Sequence, residues 1–184
     1  AFSTTKVKEI TIPAQVSDIP NTILQNCENL EKVTFLSPTL SLGANVFKNS
    51  ANGENGFITF DMTAVTSLTV TTASGSASFN GVPKGSVVYC STTSIMENLI
   101  AFFKPLVVTN GGGFASGASF SAYKLTAPSQ PEHIFDGWYT DASLSESNKV
   151  NSEEFTIDQY NRLVVDSKVV TSGILYAKWI GLED

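Results

Sequence analysis

The chain carries one histidine, His133, one arginine, Arg162, and two cysteines, Cys27 and Cys90. Ser–His–Asp chemistry needs an imidazole beside an activated hydroxyl. Nothing around His133 supplies a recognisable nucleophile, so it reads as a loop histidine without a role. Asp136 and Asp141 flank Trp138-Tyr139. Paired carboxylates there suggest acid/base work or calcium. No Asp-x-Asp-x-Asp-Gly loop follows, so both read as solvated or turn-capping groups. Glu153 and Glu154 read as a solvated pair. A zinc site wants four ligands at short spacing, which two distant cysteines and one histidine do not offer. Nor do two cysteines make a disulfide framework, and a buried free thiol is the expectation for Cys27. Asn110-Gly111-Gly112-Gly113 is glycine-rich enough to invite comparison with a phosphate cradle. That chemistry requires Gly-x-Gly-x-x-Gly or a terminal Gly-Lys-Ser/Thr opening a helix. Here position 116 is Ser and no Lys follows, so the run reads as a tight turn. Trp138, Tyr139, Tyr176 and Trp179 have the chemistry of a sugar-stacking platform. Alternation along the strands instead assigns Phe135, Trp138 and Trp179 to a core, where aromatics dominate burial. These residues give no catalytic set, no metal and no cofactor, and the chain is expected not to be an enzyme.

The elements that carry these residues are β-rich. Charged residues make up 15% of the chain, against a usual figure of about 25%, and Ser, Thr, Asn and Gly fill the difference. Net charge is −6, from 11 basic and 17 acidic residues. Nucleic-acid binding needs clustered Lys or Arg to neutralise phosphates, and neither half of the chain is basic. An anionic membrane surface is disfavoured for the same reason. No apolar run approaches the ~18–20 residues of a membrane-spanning helix. The first residue is Ala1, with no initiator Met and no signal peptide, which suggests an excised piece or a mature form.

Residues 7–54 read as one pattern written twice, 23 positions apart. Ile10 and Ile12 become Val33 and Phe35, Thr11 becomes Thr34, and Ile19 becomes Leu42. Ile23 and Leu24 become Val46 and Phe47, while Asn26, Cys27 and Asn29 become Asn49, Ser50 and Asn52. A period of 20–29 residues is that of a leucine-rich-type solenoid. Each unit opens with a short alternating strand, Ile10-Thr11-Ile12, Val33-Thr34-Phe35 and Ile58-Thr59-Phe60, which sends the threonine outward. Stacked in parallel, Thr11, Thr34 and Thr59 would form a ladder on one sheet face, the candidate interaction face. Pro13 and Pro38 end the strands, and short helical segments carrying Leu24 and Phe47 are expected next. Asn at the unit's end suits a left-handed turn.

The order Ile-Pro, Val-x-x-Ile, large apolar, Asn-Cys, x-Asn-Leu, x-x-Val resembles the BspA-like leucine-rich repeats of bacterial and some protist surface proteins. Two good copies occupy residues 7–30 and 31–54. A third is stretched: Phe79 takes the slot of Phe47, and residues 69–78 are an insertion, either a longer loop or an added strand through Leu68-Thr69-Val70. Residues 82–89 resemble the closing strand of such arrays, and 95–103 read as a helical cap, which repeat arrays require. The resemblance implies a short leucine-rich-repeat solenoid over residues 1–103.

Composition shifts at Phe103-Lys104-Pro105. The early Asn-Gly-Gly, then Phe135-Asp136-Gly137-Trp138-Tyr139, then Leu175-Tyr176-Ala177-Lys178-Trp179 resemble the internalin B-repeat, or Listeria–Bacteroides repeat, over residues 104–180. That resemblance implies a small β-grasp-like module over 104–184. Glu132-His133-Ile134 departs from the family's glycine-aromatic pair. Strands at 155–157 and 163–165 are expected to form a hairpin about Asn161. The overall expectation is a mainly β, non-enzymatic fragment of a bacterial cell-surface or secreted protein. It would bind a protein, matrix or host-surface ligand, with the second half as spacer or accessory unit. A carbohydrate-binding module is the alternative, and a hydrolase a weaker third. The array would be the end of a longer one, leaving the strand at Ile10 as an exposed edge prone to self-association.

Overall fold

A computed structural model describes residues 2–51 and 56–182. Fourteen strands follow in chain order: β1 (Glu9–Ile12), β2 (Asp18–Ile19), β3 (Lys32–Phe35), β4 (Thr39–Leu42), β5 (Thr59–Met62), β6 (Ser67–Thr69), β7 (Val87–Cys90), β8 (Leu106–Val108), β9 (His133–Tyr139), β10 (Lys149–Val150), β11 (Phe155–Ile157), β12 (Leu163–Val165), β13 (Lys168–Val170) and β14 (Ile174–Gly181). Eight of them form one sheet in the order β1-β3-β5-β7-β8-β14-β9-β10. The first six strands of that row run parallel. β2-β4-β6 make a second parallel sheet, and β11-β12-β13 an antiparallel one.

The 23-residue offset is a register in space. Ile10 lies opposite Val33, Thr11 opposite Thr34 and Ile12 opposite Phe35, while Ile19 lies opposite Leu42. Leu24, Val46 and Phe47 fill the core between the two sheets. The segments around them are turns, not the short helices expected from sequence. Thr22 and Asn26 in the first unit, and Asn45 and Asn49 in the second, all have φ between 52° and 61°. Left-handed residues recurring this closely interrupt any helical run. Backbone donors turn to the next coil instead: Thr22, Leu24 and Asn26 N–H reach the carbonyls of Ala44, Val46 and Lys48 at 2.8–3.0 Å. Ser50 fits the Cys27 slot because its hydroxyl accepts from Cys27 N–H and donates to Leu24 C=O. Asn52, the expected partner of Asn29, lies outside the described residues.

The third coil departs from the sequence reading. Val33 lies opposite Phe60 and Thr34 opposite Asp61. The strand thus sits two residues further along than Ile58-Thr59-Phe60 implied. A slip of two leaves every side chain on its own face, so alternation could not have fixed it. Phe79 does take the slot of Phe47, with the rings stacked at 5.9 Å. In the insertion, Ser67–Thr69 pairs with β4 as a strand, and the residues after it loop until Ser78 N–H returns to Thr71 C=O. The expected cap is a 3₁₀ segment, Thr93–Asn98, followed by turns. It buries Ile95, Leu99 and Phe103, and Asn98 Nδ2 donates to the Leu68 carbonyl at 2.9 Å. That contact covers the β6 edge of the second sheet.

Beyond residue 103 the chain extends the repeats' sheet rather than starting an isolated one. β8 pairs with β7, Val88 opposite Leu106, and β14 pairs with β8. β7 and β8 are buried on both faces, as their unbroken apolar sequences require. One face, carrying Val88, Cys90, Leu106 and Val108, joins the repeat core. The other, carrying Val87, Tyr89 and Val107, lies under Leu125, Trp138, Phe155 and Leu163 from the second half. The expected hairpin about Asn161 forms, with Phe155 opposite Val165 and Asn161 at φ 61°. Asp166 and Ser167, both left-handed, turn β12 into β13. Among the described residues the second half contains one helical stretch, the three-residue 3₁₀ turn Glu146–Asn148.

Candidate functional site

The outer face of the first three long strands forms the floor of a groove of about 640 Å³. Thr11, Thr34 and Asp61 stand in one row across β1, β3 and β5. Thr11 is exposed, Thr34 half-buried and Asp61 buried, so the groove deepens toward β5. The row continues into Tyr89 of β7, which is closed over by Phe114 and Phe120 with ring centroids 4.8 and 5.6 Å away. Residues 111–117 make the opposing wall.

That wall is tied to the sheet at several points. Gly111 N–H donates to Ser91 C=O at 3.0 Å, and Gly113 exchanges a pair of 2.9 Å hydrogen bonds with Ser129. The Thr109 hydroxyl donates to Gly112 C=O at 2.6 Å. Trp179 Nε1–H donates to Thr109 C=O at 2.8 Å, and Asn110 Nδ2 donates to Ala177 C=O at 2.7 Å. A Cβ on Gly112 would collide with the Trp179 ring, so this glycine is there for close approach. The Asn-Gly-Gly turn and the closing Leu-Tyr-Ala-Lys-Trp segment therefore meet in space. Phe135-Asp-Gly-Trp-Tyr is the cross-strand partner of the same segment, Trp138 opposite Ala177 and Tyr139 opposite Tyr176.

Of the threonines expected to form an exposed ladder, Thr11 and Thr34 do lie side by side in the groove. Thr59 does not: it pairs with Lys32 and is 2% exposed. Lys32 shows what covers that row, because its Nζ donates to Ala118 C=O at 3.0 Å and lies 5.1 Å from the Phe120 ring centroid. Asp61 and Thr63 escaped the sequence reading. Asp61 Oδ1 accepts from Thr63 N–H at 3.0 Å and from Thr63 Oγ1 at 2.7 Å. The Asp-x-Thr spacing was visible as a turn-type pattern, but its place in the row depends on the slipped register.

Other sequence candidates have packing or surface roles in the structure. Trp138 is buried, Tyr139 fully so, and Phe135 lies 5.0 Å from Trp138 and 5.6 Å from Trp179 by ring centroids. No flat aromatic platform is formed by these rings. The Tyr139 hydroxyl donates to Asp136 Oδ2 at 2.7 Å and lies 3.1 Å from Glu146 Oε1. Lys149 and Lys178 pair with Asp136 and Glu146 at 3.5 and 3.4 Å. The tyrosine hydrogen bond, helped by Lys149, holds the Asp136 carboxyl below its usual range. Asp141 caps a turn by accepting from Ser143 N–H at 2.8 Å. His133 is exposed, its Nδ1 2.7 Å from Pro131 C=O. Cys27 and Cys90 are free and buried, and burial pushes the Cys90 thiol up to about 12. Among the described residues no group of three or more His, Cys, Asp or Glu side chains is arranged to hold a metal. No helix among them is long and apolar enough to cross a membrane.

No curated protein and no solved structure matches this chain. Nothing in these comparisons supports the internalin-type resemblance of residues 104–180. Residues 1–80, the stretch that supplies the groove floor, match the family described as BspA type leucine rich repeat region.

Proposed function

We propose that the chain is a non-enzymatic part of a secreted or cell-surface bacterial protein, and that the groove binds another protein, as in adhesion to a host or matrix surface. The observation that carries this reading is the groove itself: a row of Thr11, Thr34 and Asp61, deepening toward Asp61, on the face of a parallel sheet whose first three strands lie in the stretch that matches the BspA type repeats. Repeats of this type are typically protein-interaction units of bacterial surface proteins, and the groove's polar, strand-borne floor suits an extended partner segment. In this reading the short solenoid of the first half supplies the floor. The second half, the region resembling a B-repeat, acts as an accessory unit whose Gly111 and Gly113 backbone forms the wall. The glycan alternative draws no support from Trp138 and Trp179, because both are packed against protein.

The test is an array of purified extracellular-matrix and serum proteins probed with the chain and with a Thr11→Arg/Thr34→Arg variant. Thr11 and Thr34 stand outside the core cluster, so arginine at both positions fills the groove and should leave the unfolding midpoint near that of the parent. Saturable binding to at least one array protein, weakened tenfold or more by the variant, is the expected result. Binding that ignores both substitutions, or none at all, overturns the assignment.

A further inference from the structure

We propose that the groove recognises a cationic side chain, an arginine or lysine presented by an extended segment of the partner, and that Asp61 is the residue that receives it. This rests on the reading of the groove as a protein-binding site and adds the chemistry of what it binds. Asp61 is 6% exposed. Its Oδ1 is held by the backbone and hydroxyl of Thr63. Among the described residues no group donates to Oδ2, and no Lys or Arg pairs with this carboxylate. The carboxylate is engaged by protein on one oxygen, and Oδ2 keeps its contact with solvent in the groove. Asp61 therefore lines the groove with one oxygen lacking a protein donor.

The other two charges in the lining, Glu9 and Lys32, stand opposite each other across β1 and β3. Glu9 lines the groove from an exposed position on β1. Lys32, the one cation in the lining, is engaged by the Ala118 carbonyl and the Phe120 ring and does not reach Asp61. With Lys32 facing Glu9 and held by Ala118, Asp61 is the charge in the groove left without a cation. Its volume of about 640 Å³ is within the range that holds a small ligand and accommodates a long side chain with its flanking backbone. Arginine fits better than lysine, because its planar fork can engage both carboxylate oxygens. The Thr11 and Thr34 hydroxyls stand along the approach from the open end, placed to bond an incoming backbone.

The experiment is an NMR titration of the whole chain with the pentapeptide acetyl-Ala-Ala-Arg-Ala-Ala-amide and its citrulline counterpart, which keeps the shape and loses the charge. The expected result is saturable movement of the Thr34, Asp61 and Thr63 amides with the arginine peptide. Affinity should be at least tenfold weaker for citrulline. Asp61→Asn should weaken the arginine peptide by a similar factor, since its Oδ1 still accepts both Thr63 bonds and keeps the turn. Equal affinity for the two peptides, equal affinity of the variant, or no movement of these amides at millimolar peptide overturns the proposal. If Asp61→Asn does not fold, the citrulline comparison on the parent chain decides alone. An array partner lost on Thr11→Arg/Thr34→Arg but retained on Asp61→Asn sinks the cationic assignment and leaves the groove standing. An array partner indifferent to both substitutions sinks the groove as well.

Discussion

Gly112→Ala tests how the second half builds the groove wall. The added methyl would overlap Trp179 Cζ2 and lie 3.0 Å from Pro128 Cβ. The indole has little room to yield: Phe135 packs on it at 5.6 Å, and its Nε1–H is fixed to Thr109 C=O at 2.8 Å. Overpacking of this kind costs about 1–3 kcal/mol. If the ring tilts to escape, the hydrogen bond to Thr109 is lost as well, about 0.5–1.5 kcal/mol. The reduced entropy of the unfolded alanine chain returns about 0.4–1 kcal/mol. The net expectation is a loss of about 2 kcal/mol, read from the urea midpoint by tryptophan fluorescence. The severest overlap is with the Trp179 ring, so a double-mutant cycle with Trp179→Phe is the sharper assay. In that background the smaller ring leaves space, Trp138 still reports unfolding, and the cost of Gly112→Ala should fall below about 1 kcal/mol. A coupling within about 0.3 kcal/mol of zero would show that the Gly112–Trp179 approach does not matter and would refute the reasoning.

Three further outcomes follow from the same geometry. The Lys8 carbonyl accepts from Lys32 N–H and the Ile12 carbonyl from Leu36 N–H, and alternate residues of a parallel strand face the same neighbour, so Glu9 and Thr11 point their N–H groups to the open side of β1. In a monomeric sample these two amides should exchange rapidly, with protection appearing as the chain self-associates; slow exchange in a proven monomer contradicts the open edge. Burial raises the ionisation of Cys90 to about 12 and that of Tyr89 well above its ordinary value. Their contribution is fully present below the unfolded thiol value of about 8.5 and is lost as pH rises toward the folded ones; urea midpoints should fall between pH 8 and pH 10.5, less steeply in Cys90→Ala, and a flat profile would oppose this. Tyr139→Phe removes the donor that lowers Asp136, so the Asp136 carboxyl should titrate closer to ~3.9 by NMR. It should also cost about 1 kcal/mol at neutral pH, a difference that shrinks as pH falls below about 4, whereas an Asp136 titration unchanged by the substitution rules out the bond.

Much of the first half was readable because repetition fixes both phase and register. The pairs Ile10/Val33, Thr11/Thr34 and Ile19/Leu42 follow directly from matching slots. The third coil was not readable to the residue, since moving Thr59 out of the row and Asp61 into it leaves the apolar alternation untouched. The turns around Leu24 and Phe47 resemble helix in sequence because apolar spacing does not reveal the left-handed backbone at Thr22 and Asn45. In the second half Phe135, Trp138 and Trp179 pack as the sequence predicts, but Tyr139, which alternation leaves outside, is fully buried beside Trp138. The continuation of the sheet through Val88 and Leu106 was hidden, because a strand buried on both faces shows no alternation and names no partner. The groove wall was missed for a related reason: Asn110-Gly111-Gly112 announces a turn, but only the long-range bonds to Ser91, Ser129 and Trp179 determine what that turn faces.

The groove exists because the second-half wall, a loop, is tied to the sheet that carries the repeat floor and runs on into the second half. Both tryptophans, Trp138 and Trp179, lie in the second half, while β1 and β3 lie in the first. The most direct measurement is urea unfolding of the whole chain followed at once by tryptophan fluorescence and by the amide signals of Val33 and Thr34. One sheet spanning β3 to β14 requires the two probes to report a single coincident transition. Separate midpoints, with β3 surviving after the tryptophans are exposed or the reverse, would mean two independent modules and contradict the shared sheet on which the groove depends.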